Sequence, residues 1–206
     1  MGWEADFLLY IQEHIRSDVL TPFLTFITHT GDYGLALIIF VVAIVLIPKT
    51  RRFGIITAVS IIIETLLTNL VIKNAVARTR PYEVIDGLVC LVGKQKDFSF
   101  PSGHSGAAFS VAIALFLIAL LGLPVIGENG SISRSKTSTA YKLAIIPVIL
   151  YAVIIAFSRL YVGVHYPTDV IGGILLGIGS GVIAYFSYHF AIRKFHALKT
   201  NGVSHK

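Results

Sequence analysis

Apolar residues gather in long, nearly unbroken runs separated by short polar stretches, and only the first run is two-sided. Trp3, Phe7, Ile11 and Ile15 recur every fourth residue with Leu8 beside them, on a segment that also carries Glu4, Asp6, Glu13 and Arg16. That spacing predicts an amphipathic helix, lying in a membrane interface or packed against a bundle. It is expected to continue through VLTPFLTFITHT as an irregular first span with a break near Pro22. The next run, GLALIIFVVAIVLI (34–47), is apolar all round but short for a hydrocarbon core of about 30 Å, so its helix is expected to begin nearer Thr30 and to end at PKTRR. FGIITAVSIIIETLLTNLVI (53–72) is long enough to span, and its Glu64 and Asn69 are expected to face other helices rather than lipid. Further spans are expected over His104–Leu123, over Ala140–Phe157 with a kink at Pro147, and over Val170–Ile192. In the last of these Gly173, Gly177 and Gly181 fall four apart, a stripe suited to close helix packing within the chain or between two copies.

Composition turns this pattern into a class. Of 206 residues 55% are hydrophobic and 14% charged, with a positive mean hydropathy, which excludes an ordinary soluble domain. The expectation is an all-α, polytopic membrane helix bundle of about six spans with an N-terminal amphipathic segment. At roughly 100 to 200 residues per domain, the whole chain, 1–206, is expected to form a single domain. The start lacks a basic region and a small-residue cleavage site, so no removable signal peptide is expected. The lone Cys90 says nothing about compartment.

Charge orients the bundle and then complicates the picture. Lys49, Arg51 and Arg52 fall in one connection, Arg134, Lys136 and Lys142 in another, and Arg193, Lys194, Lys199 and Lys206 in the tail. All lie on one side, which the positive-inside rule makes cytoplasmic. Residues 74–103 and 158–168 are then expected on the outer face, although the first of these loops carries Arg78, Arg80, Lys94 and Lys96. Cations on the outer side make sense as ligand-binding groups.

Three polar clusters converge on that face: KNAVARTRP (73–81), FPSGHS (100–105) and SRLYVGVHYPTD (158–169). Each alone has a plain structural reading. Lys73 can snorkel, Arg78 and Arg80 can hold lipid headgroups, PSGH can be a turn opening a helix, and His165 can be an interfacial histidine. Together they supply what phosphoryl transfer requires. Lys73, Arg80 and Arg159 are cations for phosphate oxygens. Ser102, Gly103 and His104 stand at a helix start, where free N–H groups favour an anion. His165 and Asp169 are four apart, a spacing that brings a carboxylate to an imidazole and readies it for nucleophilic attack. No metal-ligand spacing and no GxxxxGK[ST] loop accompany them, so no metal, cofactor or nucleoside triphosphate is expected.

The patterns K-x6-R-P, P-S-G-H and S-R-x5-H-x3-D are read here without departure and in order, and they resemble the three signature motifs of the type 2 phosphatidic acid phosphatase family. The resemblance covers nearly the whole chain. It implies an integral membrane lipid phosphatase working through a phosphohistidine: His165 attacks, Asp169 orients it, His104 protonates the leaving alkoxide, and Lys73, Arg80, Ser102, Gly103 and Arg159 cradle the phosphate. The motifs are also similar to those of vanadium-dependent haloperoxidases, soluble oxidoreductases, against which the apolar spans argue. A transporter or channel would explain Glu64 and Asn69 but not the His165–Asp169 spacing. Among lipid phosphatases, small bacterial members act on phosphatidylglycerophosphate or undecaprenyl pyrophosphate. The first is placed ahead, with undecaprenyl pyrophosphate or a broad range including phosphatidic acid as alternatives. The expected partners are an anionic phospholipid or prenyl pyrophosphate and membrane lipids, with no nucleic acid, and the expected location is a cell membrane, multi-pass, with the site on the outer face. The segment 84–100, with Lys94 and Lys96, reads either as an interfacial rim admitting lipid sideways or as a solvated loop.

Overall fold

The computed structural model describes residues 2–126, 131–135 and 137–203, with the side chains of 199–203 left aside. Nine α-helices and one hairpin are assigned among them. The first, α1 (Trp3–Tyr10), runs into a wide π turn at Ile11–Ile15. Its inner face is Ala5, Leu8 and Ile11, packed under Leu88, Tyr166 and Tyr161, whereas Trp3 and Phe7 are exposed. The expected stripe is thus rotated: the segment packs on the bundle by its small and aliphatic residues and offers Trp3 and Phe7 outward, where aromatic rings suit a membrane interface.

The two segments expected as separate first and second spans form one broken element. Helix α2 (Leu20–Thr30) and α3 (Leu35–Leu46) meet at 51° across Asp32–Gly34. Pro22 lies in the first turn of α2, where its missing N–H costs nothing, so the break falls at Gly31–Gly34 instead. Beyond it come α4 (Arg51–Leu66), a π segment at Leu67–Ile72, α5 (Lys73–Val76) and α6 (Pro81–Val84). Three helices complete the set: α7 (Gly103–Leu121), α8 (Thr139–Tyr161, unbroken through Pro147) and α9 (Pro167–Val203). Strands β1 (Pro124–Ile126) and β2 (Ile132–Arg134) pair antiparallel between α7 and α8, a hairpin the apolar pattern did not signal.

Among the described residues four helical runs are long and apolar enough to cross a membrane, and the bent α2–α3 pair makes a fifth. The protein is a multi-pass, mostly helical membrane protein. Of the basic connections, Lys136 and Lys206 lie outside the described residues. Phe53 meets Tyr141 at 4.8 Å between ring centroids, and Tyr185 donates to the Gly122 carbonyl at 2.8 Å. These contacts gather the starts of α4 and α8, the end of α7 and the later half of α9 at one end of the bundle. The three motif clusters sit at the other.

The glycine stripe works within the chain. A Cβ on Gly173 would press on the Ser102 carbonyl oxygen, one on Gly177 on the Gly106 carbonyl oxygen, and one on Gly181 would lie 2.9 Å from that of Ser110. Helices α7 and α9 therefore touch backbone to backbone. On α4, Glu64 is buried as expected and accepts from Thr68 at 2.7 Å, but Asn69 is exposed and Thr68 holds the interior position.

Candidate active site

The nucleophile candidate is fixed by a helix cap. Tyr166 stands before Pro167, and its N–H donates to Asp169 Oδ2 at 2.9 Å, the backward half of a capping box that starts α9. The same Oδ2 accepts from Ser99 Oγ at 2.5 Å, and Arg78 Nη1 donates to Oδ1 at 2.6 Å. Asp169 is thereby held on three sides, with Oδ2 3.5 Å from His165 Nδ1. That separation is long for a hydrogen bond, and Nδ1 has no closer partner.

The opposite nitrogen settles the tautomer. Arg80 Nη1 lies 3.3 Å from His165 Nε2, and a guanidinium can only donate. Nε2 is then the lone-pair nitrogen and Nδ1 carries the proton toward Asp169. Burial pushes the His165 pKa down to about 3, Asp169 opposing this and Arg80 and Arg159 adding to it. The ring is neutral at physiological pH with its lone pair aimed among cations.

Those cations come from three elements. Lys73 follows the π segment of α4, a widening that re-aims the residues after it and is frequent at functional sites. Lys73 is paired with Asp97 Oδ2, while Arg80 Nη2 donates to Asp97 Oδ1 at 2.6 Å and Arg80 Nη1 to the Val164 carbonyl at 2.9 Å. Burial works to raise the Asp97 carboxyl, but Lys73 and Arg80 overcome it and hold it at about 2. Arg159, from the last turn of α8, is 1% exposed. It donates through Nη1 to Thr28 Oγ1 at 2.6 Å, its Nε has no partner, and no carboxylate among the described residues forms an ion pair with it.

His104, on the first turn of α7, faces the α2–α3 break. Its Nε2 lies 3.2 Å from Asp32 Oδ1, and Asp32 Oδ2 is 2.7 Å from His29 Nδ1. Lys73, Arg80, Gly103, His104, Arg159 and His165 all line a cavity of about 1030 Å³, whose apolar wall is formed by α3 and α4. Two expected site residues do not line the cavity. Asp169 supports His165 from the rear, and Ser102 caps α7, its Oγ accepting from Ser105 N at 3.5 Å and lying 2.9 Å from Ser105 Oγ.

Several partners escaped the sequence reading. Asp97 had no motif to mark it. Arg78 lies over the Tyr166 ring, 3.8 Å from its centroid, and also donates through Nη2 to Glu4 Oε2 at 2.6 Å, linking α1 to Asp169. Arg78 stood out in the sequence only as one of the outer-face cations, without this supporting role. Ser99, Asp32 and His29 carried none.

Comparison with known proteins identifies the family. The sequence profile of the PAP2 superfamily matches residues 52–193. The chain belongs to the PAP2 superfamily. Among PAP2 relatives, the chain is 34% identical over 138 residues to the undecaprenyl-diphosphatase of Sulfolobus acidocaldarius, covering 66% of this chain but only 56% of that protein. It is 34% identical over 168 residues to phosphatidylglycerophosphatase B of Bacillus subtilis, covering 80% of this chain and 73% of the relative. Among solved PAP2 structures, the B. subtilis phosphatidylglycerolphosphate phosphatase superposes with a TM-score of 0.64 at 29% identity, over 93% of this chain and 85% of that one. Aquifex aeolicus LpxE, at 24% identity, shares the fold with a TM-score of 0.65, over 89% of this chain and 95% of its own.

Proposed function

We propose that this chain, as one membrane-embedded unit, removes phosphate from a lipid through a covalent phosphohistidine. The carrying observation is the Arg80 contact, which leaves the His165 lone pair on Nε2, among cations that include the buried Arg159. In the first step Nε2 attacks phosphorus, the bond from phosphorus to the lipid oxygen breaks, and a proton from His104 goes to that oxygen. The proton on His165 Nδ1 stays in place and Asp169 offsets the positive charge that develops on the ring. In the second step water attacks the phosphohistidine, His104 takes the water's proton, and the electron pair of the P–N bond returns to Nε2. Lys73, Arg80, Arg159 and the amides at Gly103 and His104 hold the phosphate oxygens. Lys and Arg already supply the positive charge, so a chelator is expected to leave activity intact.

Phosphatidylglycerophosphate is the substrate placed first, because the B. subtilis phosphatidylglycerophosphatase combines 34% identity with cover of 80% of this chain and 73% of its own length. A prenyl diphosphate is the second reading, favoured by the equal identity to the archaeal undecaprenyl-diphosphatase. The site is proposed to face the outside of the cell, opposite the basic connections. Phosphate release in detergent from a panel of lipid monophosphates and prenyl diphosphates ranks the substrates. Acid-labile phosphate label trapped from radioactive substrate is expected on His165 and absent from His165→Ala. Label elsewhere, or full activity in that variant, would overturn the scheme.

A further inference from the structure

The break between α2 and α3 is strained and polar where its flanks are apolar. Tyr33 adopts φ 54°, the left-handed region that a residue with a Cβ seldom enters, and its side chain is fully exposed, so it makes no packing that would offset the cost. What the break achieves is to place Asp32 on the cavity wall with one carboxylate oxygen toward His104 and the other on His29. Gly31 makes the approach possible: a Cβ there would sit 2.5 Å from His104 Cδ2 and 3.2 Å from Nε2. A carboxylate lining a cavity meant for phosphate repels its ligand unless it serves another group. Here that group is at hand.

We propose that Asp32 is the positioning carboxylate of His104, so that the site holds two histidine–carboxylate pairs, one for the nucleophile and one for the acid. The inference rests on the phosphohistidine reading above. A carboxylate only accepts, so His104 Nε2 carries a hydrogen toward Asp32. The proton delivered to the leaving oxygen, and later taken from water, is then the one on Nδ1. Asp32 offsets the positive charge of the imidazolium that must exist before delivery, in a cavity that Lys73 and Arg159 also line. His29 holds the second oxygen of Asp32 and fixes the carboxylate's rotation. The arrangement reverses that of the nucleophile, where Nδ1 faces Asp169 and Nε2 does the work.

The reasoning separates substrates by leaving group, because an acid matters in proportion to how poor that group is. For Asp32→Asn, close in shape, kcat on a lipid monophosphate is expected to fall about a hundredfold with KM changed by no more than about threefold. With 4-nitrophenyl phosphate, whose leaving group needs no proton, the rate of the first-turnover nitrophenolate burst is expected to stay within about threefold of wild type. Gly31→Ala, which keeps the carboxylate but pushes His104 off it, is expected to give the same selective loss. Asp32→Glu is expected to recover part of the lipid activity. Equal loss on both substrates in Asp32→Asn and Gly31→Ala means a disturbed fold or phosphate site and overturns the proposal. Full lipid activity in Asp32→Asn overturns it too. Label on His165 in the wild-type protein distinguishes these failures from failure of the phosphohistidine reading, which would remove label and burst together.

Discussion

Replacing Asp97 with Asn removes the carboxylate that bridges Lys73 and Arg80, two side chains only 8% and 4% exposed. In the ligand-free protein this leaves two buried cations facing each other, which costs stability; once a phosphate is bound its oxygens supply the missing charge. The depression of Asp97 from 3.8 to about 2 corresponds to roughly 2.5 kcal/mol before screening. The Asp97 side chain is 49% exposed, so screening leaves about 1 kcal/mol. Asp97→Asn should therefore lose about 1 kcal/mol of ligand-free stability and gain that amount in anion binding, about a fivefold lower inhibition constant for inorganic phosphate. Inhibition is measured against 4-nitrophenyl phosphate in detergent, and melting temperature is followed with and without phosphate. The variant should melt lower than wild type without phosphate and gain more from its addition. Inhibition that is unchanged or weaker would refute the reasoning and make Asp97 a scaffold that holds Lys73 and Arg80 in place rather than a competitor for them.

Two further outcomes are expected. The folded-state pKa of His165 is lowered from 6.5 to about 3, so the unfolded chain binds a proton that the folded chain refuses; stability present above pH 6.5 falls as pH drops toward 3, by at most about 1.4 kcal/mol per unit. His165→Asn should flatten that part of a melting-temperature profile, and an unchanged acid slope would contradict the buried neutral ring. In a Cys90→Ser background in intact cells, a cysteine replacing Lys96 should react with a membrane-impermeant reagent and one replacing Lys142 should not; the opposite pattern would invert the proposed orientation.

The motifs were legible because their chemistry is concentrated in short, contiguous strings. Lys73 to Pro81, Pro101 to His104, and Ser158 to Asp169 each lie at a helix end, where a local signal meets a local structure. The stripe of Gly173, Gly177 and Gly181 was equally readable as a contact, and the fold decided that the contact is with α7. What stayed hidden was supplied across long separations by residues with no periodic context. Glu4 reaches Arg78, Asp32 reaches His104, and Thr28 reaches Arg159, pairings that depend on how α1 and α2 are laid over the bundle. In the segment 84–100 Lys94 and Lys96 drew attention by their charge and both line the cavity, but nothing marked Asp97, the residue that pairs with Lys73 and Arg80. The α2–α3 break was misplaced because proline is a louder signal than Gly-Asp-Tyr-Gly, although Pro22 occupies a position where a helix tolerates it.

The backbone contact between α7 and α9 works as a fixed gauge. His104 starts one helix and Asp169 the other, and the gap between their axes is set at Gly173 and Gly177 by carbonyl oxygens that cannot rotate away. No rotamer change can open or narrow that wall, so the rear jaw of the site has a single setting whatever lipid arrives. Headgroups of different bulk must be accommodated by the front jaw, made from the α2–α3 break and the segment around Asp97, neither of which is clamped in this way. On the proposed reading a change of headgroup is therefore expected to move the front jaw and leave the chemistry in register behind it.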